Sequence, residues 1–188
     1  MTELFQNKYK IESTRLKDWD YSSNGAYYVT ICTKHREYFF GEIINGKMAL
    51  SEMGKIVEYE WKQTHEIRKN IELDEYIIMP DHFHGILIIE TVAQNVETPQ
   101  WGVSTRHIPN PYHNPHWKPN SLGSIICQFK SIATKKIRAM GLNDFAWQPR
   151  FYEHIIRNEH ELNIKRKYII NNPINWKLGR NRVTLSTK

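Results

Sequence analysis

Hydrophobic and polar positions along this chain switch between two periods. Residues 25–33 (GAYYVTICT) are aromatic, β-branched and alternating, which predicts a strand. A second apolar run at 38–44 (YFFGEII) meets Asn45-Gly46 and then KMAL. Asn-Gly between two such runs predicts a two-residue hairpin, because both turn positions need positive φ. Ser51 is placed as an N-cap, and Met53, Ile56, Val57 and Trp61 then recur at helical spacing up to about Arg68. Residues 71–79 (IELDEYIIM) and 82–90 (HFHGILIIE) predict two more strands, joined tightly at Pro80-Asp81.

Apolar periodicity then lapses. Residues 91–120 hold five of the eight prolines (Pro99, Pro109, Pro111, Pro115 and Pro119), which predicts a long loop or insertion. His107, His113 and His116 within it match no zinc spacing and read as solvated loop histidines. From Ser121 the helical stripe returns as Leu122, Ile125, Ile126, Phe129, Ile132, Ala133, Ile137 and Met140. Lys130, Lys135 and Arg138 fall largely outside that stripe and give the helix a basic exposed side. Residues 145–156 (FAWQPRFYEHII) are expected to be extended, with an edge or bend at Pro149. Asn158 and Glu161 form a capping-box pattern for a last helix. That helix is expected to stop near Asn172, since Pro173 disfavours helical geometry in the residue before it.

The order strand, hairpin, helix, strand, strand, helix, strand, helix contains the β-α-β-β-α-β split unit of ferredoxin-like folds. The expected class is therefore α+β, an antiparallel sheet with helices packed on one face. The 188 residues suit a single domain, 1–188, carrying the proline-rich loop at 91–120.

Charge alters the picture once it is divided. Residues 1–120 carry 13 Lys+Arg and 16 Asp+Glu, a net of −3, whereas residues 121–188 carry 13 and 4, a net of +9. A basic region concentrated in the last third is the footprint of a polyanion partner such as nucleic acid, although a solvated helical face has the same composition. Two cysteines, Cys32 and Cys127, make neither a disulfide scaffold nor a four-thiolate zinc site. No apolar run is long enough to span a membrane, and the first residues, MTELFQNKYK, lack the apolar stretch of a secretory signal. A cytoplasmic protein with both thiols reduced and buried is the expectation.

The sharpest chemical feature is His82-Phe83-His84. On a strand, residues two apart share a face, so both imidazoles converge where they could hold a divalent metal or simply bond each other. Two imidazoles leave the shell open for a third ligand, and ligand softness alone favours Zn²⁺ or another transition ion. On the last helix, Tyr168 and Asn172 stand four apart and share a face, with Lys165 beside Tyr168. A phenol, with an ordinary pKa of about 10, is a weak nucleophile until a cation or metal favours its phenolate. Many such tyrosines only pack on a sheet with the hydroxyl at its rim.

MPDHFHG resembles the signature of HUH endonucleases, two histidines flanking a bulky hydrophobe. WQPRFYEHIIRN followed by YIINNP resembles the C-terminal part of the REP-associated tyrosine transposases, single-tyrosine enzymes related to those of small bacterial insertion sequences. GAYYVTICT, the FGEI segment and SLGSIICQFKS are similar to the same family, and the likeness covers roughly residues 20–176 in the family's order.

The resemblance implies a histidine pair on a central strand and a nucleophilic tyrosine before an Asn-Pro pair, here Tyr168, with Tyr152 as its rival. It makes Asn172 the third metal ligand beside His82 and His84. It also implies Mg²⁺ or Mn²⁺ in place of the softer ion. Asp81 departs from the more frequent Asn and brings a carboxylate beside the metal. The implied reaction is cleavage and rejoining of single-stranded, hairpin-ended DNA through a 5′-phosphotyrosine. That route needs no ATP, in keeping with the lack of a GxxxxGK[ST] loop. Lys130, Lys135, Arg138, Arg150, Arg157 and Lys165 are the expected backbone contacts to that DNA. Trp101 and Trp117 are candidates to stack on unpaired bases. Relatives include homodimers that share active sites and also monomers. Two other roles fit the chemistry: a replication or relaxase-type nickase, and a non-catalytic domesticated single-stranded-DNA-binding protein. The compact length and single tyrosine motif speak against the first, and intact His82, His84 and Tyr168 against the second.

Overall fold

The computed structural model describes residues 15–16, 18–90 and 118–183, with 177–183 as backbone alone. Most of the expected insertion, its three histidines, Trp101 and Trp117 lie outside those residues. The first strand, β1 (Gly25–Cys32), leads through a short 3₁₀ turn at Lys34–Arg36 to a hairpin of β2 (Gly41–Ile44) and β3 (Lys47–Leu50). Helix α1 (Glu52–Ile67), strands β4 (Ile71–Met79) and β5 (His82–Ile89), helix α2 (Leu122–Ala139), strand β6 (Tyr152–Ile156) and helix α3 (Glu159–Val183) follow. The hairpin turns at Asn45 and Gly46 with φ of 50° and 74°, as its sequence requires. Ser51 and Ser121 cap α1 and α2 by accepting from the backbone N–H of Gly54 and Ser124.

Four strands form an antiparallel sheet in the order β4-β5-β1-β6, the split-unit topology expected of a ferredoxin-like α+β fold, with β2 and β3 in a separate ribbon. The register sets Thr30 and Ile77 opposite His84, and Cys32 and Met79 opposite His82. Both histidines therefore sit on a strand flanked on either side.

Strand alternation sorts the core into two layers. Tyr27, Val29 and Ile31 of β1 and Phe83, Leu87 and Ile89 of β5 pack with Val57 and Trp61 of α1 and with Ile125, Phe129 and Ile137 of α2. Each such side chain contributes about 1.5–3 kcal/mol on burial, so this face supplies most of the stability. On the opposite face Tyr28, Ile86 and Ile156 meet Ile169 of α3, so the helices cover both faces of the sheet and not one as expected. This smaller cluster fixes α3 across the even-numbered positions of β5, those occupied by the histidines. Among the described residues, no helix is long and apolar enough to cross a membrane.

The two thiols are not buried as expected: Cys127 is exposed and Cys32 half-buried. The structure also corrects two boundaries. Helix α3 does not stop at Asn172; it continues through Pro173 to Val183. The proline forfeits one backbone hydrogen bond. Residues on both sides hold the helix in place: Ile169 and Pro173 are buried, Ile174 lies against the turn at Gly46, and Trp176 packs on His82 and Tyr38. The run 145–156 is a strand only from Tyr152. Phe145 and Trp147 are spent instead on the core, where their rings meet Phe40.

Candidate active site

His82 and His84 project from β5 towards α3 and are nearly buried, at 5% and 4% exposure. Their Nε2 atoms stand 2.9 Å apart. Each ring is held at its other nitrogen. His82 Nδ1 lies 2.5 Å from Asp81 Oδ1, and His84 Nδ1 lies 2.7 Å from the Tyr28 hydroxyl and 2.8 Å from Thr30 Oγ1. Asp81 accepts from Nδ1–H, so His82 Nε2 carries a lone pair and His84 Nε2–H donates to it. The two hydroxyls facing His84 Nδ1 can donate or accept. They therefore accommodate the other tautomer, in which both Nε2 lone pairs point into the same space. Burial lowers the pKa of His82 despite its bond to Asp81. Burial, then the neighbouring His82, Arg36 and Lys165, pushes that of His84 down to about 2. Both rings are neutral at pH 7, the state a metal ligand requires.

Two neutral imidazoles whose Nε2 atoms face each other across 2.9 Å could serve a divalent ion once both lone pairs point into the same space. Among the described residues no three His, Cys, Asp or Glu side chains converge as a metal shell. Asn172 is half-buried, one turn beyond Tyr168 on α3.

Tyr168 faces this pair. Its ring centroid lies 5.4 Å from that of His84 and 6.2 Å from that of Tyr28, edge-on to both, and the residue is 52% exposed. Lys165, one turn earlier, holds its Nζ 4.9 Å from the centroid of the Tyr28 ring. Tyr152, opposite Thr30 on the edge strand, shares this face; its ring lies 6.4 Å from Tyr28. Asn158 caps α3 by accepting from Glu161 N–H, while the Glu161 carboxylate takes the N–H of Arg157 and a bond from His154. That cap fixes where the helix starts, and so where Tyr168 lands.

The other basic candidates divide. Arg150 and Arg157 are exposed at either end of β6. Lys130, Lys135 and Arg138 ride on α2, across the sheet from the histidines. There Lys130 donates to the carbonyls of Gln148 and Pro149, and Arg138 Nε to that of Phe145. Lys130 also lines a concavity of about 250 Å³ with Arg15, Gly123 and Phe151, away from the histidine pair. Sequence reasoning missed Tyr28, Thr30 and Arg36. The first two were within reach, since alternation in GAYYVTICT puts them on one face; only the β1–β5 register reveals that it is the histidines' face.

A ferredoxin-like sheet with a paired histidine strand beneath a helix-borne tyrosine resembles the HUH-type single-tyrosine transposases, and a solved structure supports that resemblance in fold alone. A REP-associated tyrosine transposase bound to a REP hairpin superposes with a TM-score of 0.55 at 19% identity, over 87% of this chain and 74% of that one. The chain is 38% identical over 165 residues to an uncharacterized protein of Haemophilus influenzae, spanning 87% of this chain and 88% of that protein, and it belongs to one family with that uncharacterized protein. No protein-family model matches the chain.

Proposed function

We propose that the protein is a metal-dependent single-tyrosine DNA transposase that cleaves and rejoins single-stranded, hairpin-ended DNA. The observation that carries this reading is the approach of the Tyr168 ring to His84, whose Nε2 faces that of His82. The solved relative's REP hairpin suggests the kind of substrate.

His82, His84 and Asn172 would hold the ion, Mg²⁺ or Mn²⁺. Bound there, it would polarise a phosphate oxygen and offset charge developing on the phosphorus centre. The Tyr168 oxygen attacks the scissile phosphorus in line, forming a P–O bond as the bond to the 3′ oxygen breaks. The phenolic proton leaves through the exposed side of Tyr168, and the departing 3′ oxygen takes up a proton, so the products are a 5′-phosphotyrosine and a 3′-OH. Rejoining is the reverse attack by a 3′-OH, and the covalent link conserves the phosphodiester energy. Lys165, on the same helix face, supplies positive charge beside the phosphate, and Arg150 and Arg157 extend it along the edge of the sheet.

The test is a denaturing gel. Labelled hairpin-ended single-stranded DNA is incubated with the protein and Mn²⁺. A covalent adduct is expected from the wild type and from Tyr152→Phe, and none from Tyr168→Phe. An adduct that survives Tyr168→Phe, or no adduct with any hairpin substrate, contradicts the proposal.

A further inference from the structure

We propose that Arg36 is a positioning residue for the candidate metal site. It acts through Asp81 to hold the His82 ring with Nε2 directed at His84. The inference rests on the reading of His82 and His84 as a metal pair.

Asp81 occupies the turn between β4 and β5 and is only 3% exposed. Its backbone carbonyl is bound twice by Thr33, through N–H at 3.0 Å and Oγ1 at 2.9 Å, which ties the turn to the end of β1. Its two carboxylate oxygens have separate partners: His82 Nδ1 at 2.5 Å on Oδ1, and Arg36 Nε at 3.0 Å on Oδ2. The carboxylate is thus gripped at both ends. The end that Arg36 holds decides whether the other can orient an imidazole. A carboxylate free on one side can rotate about its Cβ–Cγ bond and leave the ring without a fixed acceptor.

Arg36 reaches this position at a conformational cost. His35 and Arg36 both lie in the left-handed region, with φ of 57° and 60°, although neither is a glycine. The same guanidinium places Nη1 2.8 Å from the sulfur of Cys32, the residue opposite His82 in the β1–β5 register. The fork therefore spans from the strand beside the histidine to the carboxylate behind it. A lysine, with a single rotatable ammonium, offers no such fixed geometry. In metal sites, partners that hold the far nitrogen of a ligating histidine fix its tautomer and orientation, and losing them weakens metal binding.

Two readouts on the intact protein test this: Mn²⁺ affinity by calorimetry, and the ¹⁵N-histidine spectrum without metal, which reports the tautomer of His82. Wild type should show His82 in one Nδ1–H form. Arg36→Leu should weaken Mn²⁺ binding by about 10–100-fold and give His82 a mixed tautomer pattern. Arg36→Lys should fall between the two. If Arg36→Leu does not fold, Arg36→Gln, which keeps a donor but no charge, carries the same comparison. Unchanged Mn²⁺ affinity and an unchanged His82 pattern, even alongside a lowered melting temperature, overturn the proposal. A response in both readouts in a protein that forms no DNA adduct would remove the transposase reading and leave this inference standing.

Discussion

Replacing Gly85 with alanine adds one methyl group at a point where the core has no room. Gly85 lies on β5 next to His84, and its missing side chain faces α1. An ideal Cβ there would stand 2.6 Å from Phe83 Cζ and 2.8 Å from Trp61 Cζ2. Carbon atoms pack at about 3.5–4.0 Å, so both rings must retreat by about 1 Å. Neither can do so freely. Phe83 and Trp61 are fully buried, their centroids are 4.6 Å apart, and each also packs on Phe129. Overpacking of this kind costs up to about 3 kcal/mol. Loss of glycine's chain entropy returns about 1 kcal/mol at most. The net expectation is a destabilisation of about 2 kcal/mol, a fall in melting temperature of about 4–8 °C for a chain of this size. Thermal unfolding by circular dichroism and urea unfolding followed by tryptophan fluorescence measure it. A melting temperature equal to or above the wild type's would show that the rings yield easily and that the packing behind the histidine strand has been misread.

Three further changes probe the site and its supports. Thr30→Val leaves His84 Nδ1 with the Tyr28 hydroxyl alone and should weaken Mn²⁺ binding by about tenfold, read by calorimetry. Its melting temperature should fall modestly, since valine fills the same volume but removes the hydroxyl bonded to His84 and Tyr28. The Arg166 pair holds the Asp74 carboxyl below its ordinary pKa, so that stability is present above about pH 4 and lost as pH falls through the lowered value. Arg166→Gln should accordingly be less stable than wild type at pH 7, and the gap should narrow towards pH 2; a constant gap would refute the linkage. Lys165→Ala should weaken binding to single-stranded DNA across all sequences and flatten its dependence on salt by about one unit of log–log slope.

Much of the fold was legible because local rules and tertiary packing agreed. Asn45-Gly46 turns where the dipeptide demands it, Ser51 and Ser121 cap their helices, and alternation in 25–33 and 82–90 sets both faces of the central strands. The pairing of His82 with His84 followed from strand period alone. What the sequence hid depends on contacts distant along the chain. Pro173 sits inside α3 because Ile169 on one side and Trp176 on the other pack against the body of the protein, outweighing a local signal to stop. Helical period showed that Lys130, Lys135 and Arg138 share one side of α2, but not that α2 covers the face of the sheet opposite the histidines. Arg36 carried no signal at all, since its approach to Asp81 depends on a left-handed backbone in residues with no glycine to announce it.

The central claim is that the phenol of Tyr168 becomes covalently bound to DNA above the histidine pair. Mass spectrometry of peptides from protein trapped with hairpin-ended single-stranded DNA and Mn²⁺ tests it most directly. The expected result is a nucleotide remnant joined through a 5′ phosphate to Tyr168. A remnant on Tyr152 or on any other residue would contradict the account.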